Sequence, residues 1–253
     1  MSTVFIIGTA GSGKSRLTAT FSEWLKASNQ DVTTVNLDPG VLTLPYSPDI
    51  DVRNYVNIEN LMEEHNLGPN GALIIAADLI ADNIVQISKE IEELQSDIVL
   101  VDTSGQMELF AFRASGPYIT SELSHEPKVT VYLFDSVFST DPLNYVSNLF
   151  LSSAVYNRLY LPQVHLLSKC DLLPREEIDK IVDWSSNPNI LANSIEQKLK
   201  GTKRLLSKNM MQAIHSIGLR FLLTPISART NDGMVGFNAI LERVLTEGNK
   251  YTF

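Results

Sequence analysis

Eight residues near the start, Gly8-Thr-Ala-Gly-Ser-Gly-Lys14-Ser15, constrain the fold more than any other feature of the chain. Their spacing is G-x-x-x-x-G-K-[ST]. The glycines let successive backbone N–H groups curl round a phosphate, and a helix opening at the end of the loop adds partial positive charge. At average residue usage the pattern arises by chance in on the order of one chain in a hundred of this length, so its context decides. Residues 4–7 are an apolar run that reads as a buried strand, and residues 14–28 carry a helical pattern. Strand, loop and helix in that order belong to an α/β sheet. Gly11, Ser12, Gly13, Lys14, Ser15 and Arg16 form the expected phosphate cradle. Lys14 reaches the β- and γ-phosphates, and the Ser15 hydroxyl is a ligand for Mg2+.

The remaining chain keeps the same alternation. Short apolar runs at 32–37, 98–101, 129–134, 164–167 and 221–223 read as strands. Most are continuous rather than alternating, as strands covered on both faces must be. Helical patterns occupy 57–67, 70–94, 142–160, 175–184 and 235–248. The reading is a doubly wound, mostly parallel sheet of the P-loop NTPase kind. Residues 105–126 and 187–216 break the rhythm and read as helical insertions. With 253 residues and 44% of them hydrophobic, the chain is expected to form a single domain over 1–253.

Composition excludes several functions. The net charge is −9, which repels nucleic acid unless basic groups cluster. The one basic cluster, Lys198-Leu-Lys-Gly-Thr-Lys-Arg204, reads as a solvated helix end. A single cysteine, Cys170, excludes a disulfide framework and a cysteine-built metal site. The N-terminus has neither a basic segment nor a long apolar run, and no apolar stretch reaches the ~18 residues of a membrane span. A cytoplasmic protein without membrane contact is expected.

The chemistry gathers at the ends of the expected strands. Asp102 follows the run at 98–101 and opens Asp102-Thr-Ser-Gly105-Gln106. A carboxylate there belongs to a magnesium shell, Gly105 lets a backbone N–H approach a γ-phosphate, and Gln106 is placed to orient water. Asp38 lies in Leu37-Asp-Pro-Gly40, where Pro39 and Gly40 turn the chain outward; it is read as a metal-shell or water-polarising group. Ser168-Lys-Cys-Asp171 follows the run at 164–167. Asp171 can accept the N1–H and 2-amino hydrogens of guanine and is left unpaired by adenine, while the Lys169 stem covers the base. Ser227 and Ala228 of Ser227-Ala-Arg229 follow the last run, with the Ala228 N–H facing guanine O6. Taken one at a time these residues also read as turn caps or surface ion pairs. Together they fall on the carboxyl edge of an open parallel sheet, where ligands bind.

On these residues the chain resembles the GPN-loop GTPases, a branch of the P-loop GTPases that includes signal-recognition and partition-type NTPases. The likeness runs through the P-loop, "LDPG" at 37–40, "GPN" at 68–70, "DTSGQMELF" at 102–110, "SKCD" at 168–171 and "SAR" at 227–229. Ser104 stands where the family has Pro, and Ser168 where it has Asn, which shortens one base contact. The absence of an acidic tail after Phe253 is a trait of the shorter archaeal-type members. The resemblance implies Mg2+-dependent hydrolysis of GTP to GDP by a homodimeric switch. It implies that Asn70 of one protomer acts in trans on the γ-phosphate bound by its partner, beside Asp38 and Gln106. It implies a client in the assembly of large complexes, RNA polymerase among them. Locally, Gly68 reads as a left-handed cap ending the helix at 57–67 and Asn70 as the cap of the next. Two alternatives remain: an ATP-dependent partition or chaperone-type ATPase, whose early P-loop lysine is replaced here by Thr9 and Ala10, and a nucleotide-binding scaffold with negligible turnover.

Overall fold

A computed structural model describes residues 1–123, 127–198, 209 and 221–247. Seven strands form one sheet: β1 (Ser2–Gly8), β2 (Val32–Asn36), β3 (Ile50–Asp51), β4 (Ile98–Asp102), β5 (Lys128–Asp135), β6 (Gln163–Ser168) and β7 (Leu223–Pro225). Their order is β3-β2-β4-β1-β5-β6-β7, and every pairing is parallel. β1 lies centrally between β4 and β5, so the loop leaving its carboxyl end opens at the middle of the sheet edge.

The continuous apolar runs are buried on both faces. Along β1, Val4 and Ile6 join one core cluster while Phe5 and Ile7 join the other, following the two-residue period of a strand. The first cluster lies under α1 (Lys14–Ala27) and the C-terminal helix Met234–Glu247, with Phe21 and Phe237 ring centroids 4.4 Å apart. The second is roofed by α2 (Ile58–Glu64), α3 (Pro69–Leu94), α4 (Met107–Ala111), α5 (Ser115–Glu122), α6 (Pro142–Leu159), α7 (Arg175–Ser186) and α8 (Pro188–Lys198). The Met234–Glu247 helix is α9.

Of the span 105–126, residues 105–123 are described and hold α4 and α5, two short helices, with no strand among these described residues. At 187–216 the described part is α8; the remainder, with Leu199–Arg204 of the basic cluster, lies outside the described residues apart from Asn209. Lys198 itself pairs with Asp141 at 2.9 Å. Along 145–160, Tyr145, Val146, Leu149, Val155 and Leu159 are buried, whereas Tyr160 is exposed.

Four features depart from the sequence reading. β3 is a two-residue edge strand with no apolar run to announce it. β7 begins two residues later than expected and ends on Pro225, which an edge strand tolerates because one side of its ladder is unpaired. α3, 26 residues long, contains an 18-residue window of mean hydropathy 1.5, enough by length and composition alone to cross a bilayer. Its Ala72, Ala76, Ile80, Ile84, Ile87 and Ile91 instead face the sheet, fully buried. The last departure is the corner at 66–70. The left-handed residue is Asn66, at φ 50°, and not Gly68. Leu67 N–H donates to Met62 O (3.0 Å) and Asn66 N–H to Glu63 O (3.4 Å), the paired bonds of a Schellman end. Gly68 is extended (φ −75°, ψ 169°) and is itself the N-cap of α3, Pro69 occupies N1, and Asn70 is already helical.

Candidate functional site

The P-loop is shaped for an anion before any anion arrives. Gly11 and Gly13 hold φ of 75° and 98°, a region closed to most side chains, and Gly13 is the N-cap of α1. No side chain caps that helix, and its first turn carries no acidic residue, so its leading N–H groups and dipole face the loop unopposed. Lys14 is buried and its amine donates to Gly8 O (3.0 Å) and Thr9 O (3.1 Å), the carbonyls of its own loop. Burial lowers its pKa, an effect opposed by the carboxylates of Asp102 and Asp38. Arg16 is exposed on the outer side of α1.

Asp102, the last residue of β4, is 1% exposed. Burial pushes its pKa up to about 6, against the Ser15 and Tyr46 hydroxyls and the Lys14 charge, with Asp38 adding to the rise. Oδ2 accepts from the Tyr46 hydroxyl at 3.1 Å, whereas Oδ1 is buried with no hydrogen-bond partner. A dry carboxylate with one idle oxygen beside Ser15 is the setting that a cation relieves. Among the described residues no three His, Cys, Asp or Glu side chains converge so that they could hold a metal ion by themselves. The donor set of Ser15, Asp102 and Asp38 is therefore sparse and oxygen-only, which fits Mg2+, an ion that keeps several of its waters.

Asp38 sits between two turns. Its Oδ1 accepts from Gly40 N–H (3.0 Å) and its Oδ2 from Gly105 N–H (2.8 Å). Asn36 braces it from β2, accepting the Asp38 N–H at 3.0 Å and donating to Asp51 Oδ1 at 2.9 Å. Asp38, Gly105 and Asp102 are thus neighbours, as their places after β2 and β4 led one to expect. Gln106 follows as the N-cap of α4, half-buried, with its N–H 3.4 Å from the Ser104 hydroxyl.

On the other side of the P-loop, Asp171 Oδ1 accepts from the Ser227 hydroxyl at 2.7 Å, which fixes the carboxylate. Arg229 is 3.9 Å from Oδ2 and mostly exposed, a contact worth little. Thr20 of α1 donates to Ala228 O at 2.8 Å, tying the Ser227–Arg229 turn to the P-loop helix. Lys169 adopts φ 60°, its amine meets Asp135 Oδ2 at 2.6 Å, and its stem passes beside Gly13. The Ser168 hydroxyl is buried and lies within donating distance of Ser12 O (2.8 Å) and Phe134 O (3.2 Å), so it stitches β6 to the P-loop.

Gly68, Pro69 and Asn70 are all exposed, and Asn70 makes no side-chain hydrogen bond among the described residues. Within this one chain nothing brings Asn70 against Lys14 or Asp102. The connection that does exist runs through Gly40, which packs against Leu73 in the first turn of α3; a Cβ at Gly40 lies 2.8 Å from Leu73 Cδ2. Arg113 is bound to Asp78 of α3 at 2.8 Å. Sequence reasoning missed Tyr46, Asn36 and Asp135. Asp135 carries the same signal as Asp102, a carboxylate closing an apolar run, whereas Tyr46 and Asn36 carry none.

The comparisons with known proteins agree with this geometry. A family model described as a conserved hypothetical ATP binding protein matches residues 6–247. A GPN-loop GTPase of Pyrococcus abyssi is 38% identical over 179 residues, which cover 70% of this chain and 71% of that protein. GPN-loop GTPase 1 of Saccharomyces cerevisiae is 28% identical over 263 residues, 99% of this chain and 68% of the relative. Its Dictyostelium discoideum namesake is 30% identical over 85% of this chain, which spans only 56% of that longer protein. The crystal structure of a GTPase in apo form from Pyrococcus abyssi matches with a TM-score of 0.85 and 31% identity over 97% of this chain and 98% of the other. Likeness in sequence and nearly full-length likeness in fold thus converge on one group, and the chain belongs to the GPN-loop GTPase family.

Proposed function

We propose that this chain is a single-domain, Mg2+-dependent GTPase that works as a homodimeric switch in the cytoplasm, hydrolysing GTP to GDP and phosphate during the assembly of large protein complexes. The observation that carries the reading is the meeting of Lys14, Asp38, Asp102 and Gly105 at the P-loop mouth, with a buried idle oxygen on Asp102. The open amides of α1 and the Lys14 amine bind the β- and γ-phosphates, Lys14 leaving the Gly8 and Thr9 carbonyls to do so. Ser15 and Asp102 hold the metal shell, with Asp38 beside them. Mg2+ when bound neutralises charge on the phosphate oxygens. Gly105 N–H meets a γ-oxygen, and Asp38 and Gln106 orient the attacking water. Asp171, fixed by Ser227, selects guanine, with Lys169 and Ala228 alongside.

One part of the site is absent among the described residues. Phosphoryl transfer spreads charge over the γ-oxygens, and a donor is needed to meet it. Arg113 is engaged by Asp78, and Arg16 faces outward. Asn70, exposed on a rigid helix start and without a partner of its own among the described residues, is suited to supply that donor to a second protomer across a two-fold interface. RNA polymerase or another large assembly is the proposed client, with no direct contact to nucleic acid or membrane. Turnover measured with GTP and with ATP, each with Mg2+ and with excess EDTA, tests the core of the reading. GTP-selective, EDTA-sensitive release of phosphate is expected. Equal use of ATP sinks the base assignment, and undiminished hydrolysis in EDTA sinks the metal assignment.

A further inference from the structure

We propose that Tyr46 is a positioning residue for the metal shell, its hydroxyl fixing one oxygen of Asp102 so that the other is presented to the cation. The proposal rests on the Mg2+-dependent reading above. Tyr46 lies outside every motif that marks the nucleotide site, in the loop between β2 and β3. Its half-buried hydroxyl donates to Asp102 Oδ2 at 3.1 Å, and Oδ1 has no partner. A carboxylate at a strand end keeps one soft torsion, the rotation about its last carbon–carbon bond. Tying one oxygen removes that freedom and gives the other a fixed direction. Groups that orient a metal's ligands in this way act on affinity without touching the metal.

The loop is built to hold the tyrosine in place. On one side of it, the Arg53 guanidinium grips both oxygens of Asp51 and donates to Val41 O (3.1 Å) and Leu42 O (3.4 Å). On the other, Asp49 Oδ2 accepts from both the backbone N–H (2.7 Å) and hydroxyl (2.8 Å) of Thr34 in β2. Tyr46 is thus anchored three residues from one clamp and four from the other. The same loop begins with Asp38, braced by Asn36. One segment therefore delivers both a carboxylate to the site and the group that aims its neighbour. The metal shell is keyed to the conformation of this loop, and displacing the loop disorients Asp102.

The test uses Mn2+ as a spectroscopic probe, bound to the full-length chain with GDP and titrated by electron paramagnetic resonance. Tyr46→Phe keeps the ring and loses the hydroxyl. Mn2+ affinity is expected to fall by about 10–100-fold, while GDP affinity in EDTA stays near the parental value. Tyr46→Leu loses ring and hydroxyl together. If the hydroxyl is what matters, Phe and Leu weaken Mn2+ to a similar extent. If only Leu does, or if Phe binds Mn2+ within two-fold of the parent, Tyr46 serves packing and the proposal falls. A parental chain that binds GDP but no Mn2+ overturns the metal reading itself, a result distinct from either.

Discussion

Removal of the Asn70 side chain distinguishes a helix corner from a reagent, because the structure gives the two roles opposite signs. Asn70 is the second residue of a 26-residue helix, exposed, with the N-cap position already taken by Gly68. Asn70→Ala therefore loses no cap. Alanine has the better helix propensity, by about 0.5 kcal/mol, which for a chain of this size raises the melting temperature by about 1–2 °C. Hydrolysis moves the other way. Losing one donor to charge developing in a transition state costs about 10²–10³ in kcat. The assay is single-turnover GTP hydrolysis on protein whose dimer is verified by sedimentation, with GTP affinity measured separately and expected to hold. Mixing adds a geometric test. In a freely exchanging 1:1 mixture of Asn70→Ala and Lys14→Ala chains, half the dimers are mixed, and each has one site with both an intact P-loop and a partner's Asn70. About one quarter of the parental rate per chain should return. A folded, dimeric Asn70→Ala protein hydrolysing at the parental rate would falsify the trans role. A melting temperature lowered by several degrees would instead refute the placement of Asn70 inside the helix.

Three further outcomes follow from the site. Lys14→Ala removes a charge-assisted phosphate donor and should weaken GTP by at least about 100-fold; equilibrium binding within a few-fold of parental contradicts the cradle. Asp171→Asn keeps an acceptor for Ser227 but turns a donor toward the base, so GTP should lose affinity and XTP gain it in competition, and an unchanged order removes Asp171 from the base site. Asp102 has a folded pKa of about 6, above the ordinary carboxylate value, so it binds a proton more tightly folded than unfolded. Its charge therefore destabilises the metal-free protein at neutral pH, and this penalty fades as pH falls through 6 and is gone near 4. Asp102→Asn should stabilise the metal-free chain by up to about 3 kcal/mol at pH 7, converging with the parent near pH 4. A urea-melt difference that is flat across this range refutes the assignment.

The legible parts of the molecule were those in which one physical signal dominates. The strands at the sheet centre announced themselves because burial on both faces forces continuous apolar runs, as Val4 to Ile7 show. The P-loop was legible because phosphate binding demands both positive φ and a helix start. β3 was not, because two residues at an edge need no apolar face. The Gly68 cap was misassigned because Asn66 and Gly68 both suit a left-handed position, and only the backbone chooses between them. The tie from the Ser168 hydroxyl to the Ser12 carbonyl was not legible either, because it joins residues 156 positions apart and no local pattern encodes it. Tyr46 and Asn36 act through contacts across the β2–β3 loop, and no local pattern encodes such a meeting.

The hydrogen bond from Gly105 to Asp38 bears on how the proposed switch would tell GTP from GDP. The Gly105 amide has one hydrogen, and Asp38 holds it. On the proposed reading a diphosphate makes no claim on that hydrogen and leaves the bond standing. A triphosphate has to evict the carboxylate. Recognition of the third phosphate is then a contest between two anions for one proton, in which the protein's own side chain is the incumbent. Asp38 also accepts the Gly40 N–H through its other oxygen, and Gly40 leans on Leu73, three positions beyond Asn70. On that reading, the departure of one place-holder at the third phosphate would be felt at the start of α3, where Asn70 stands.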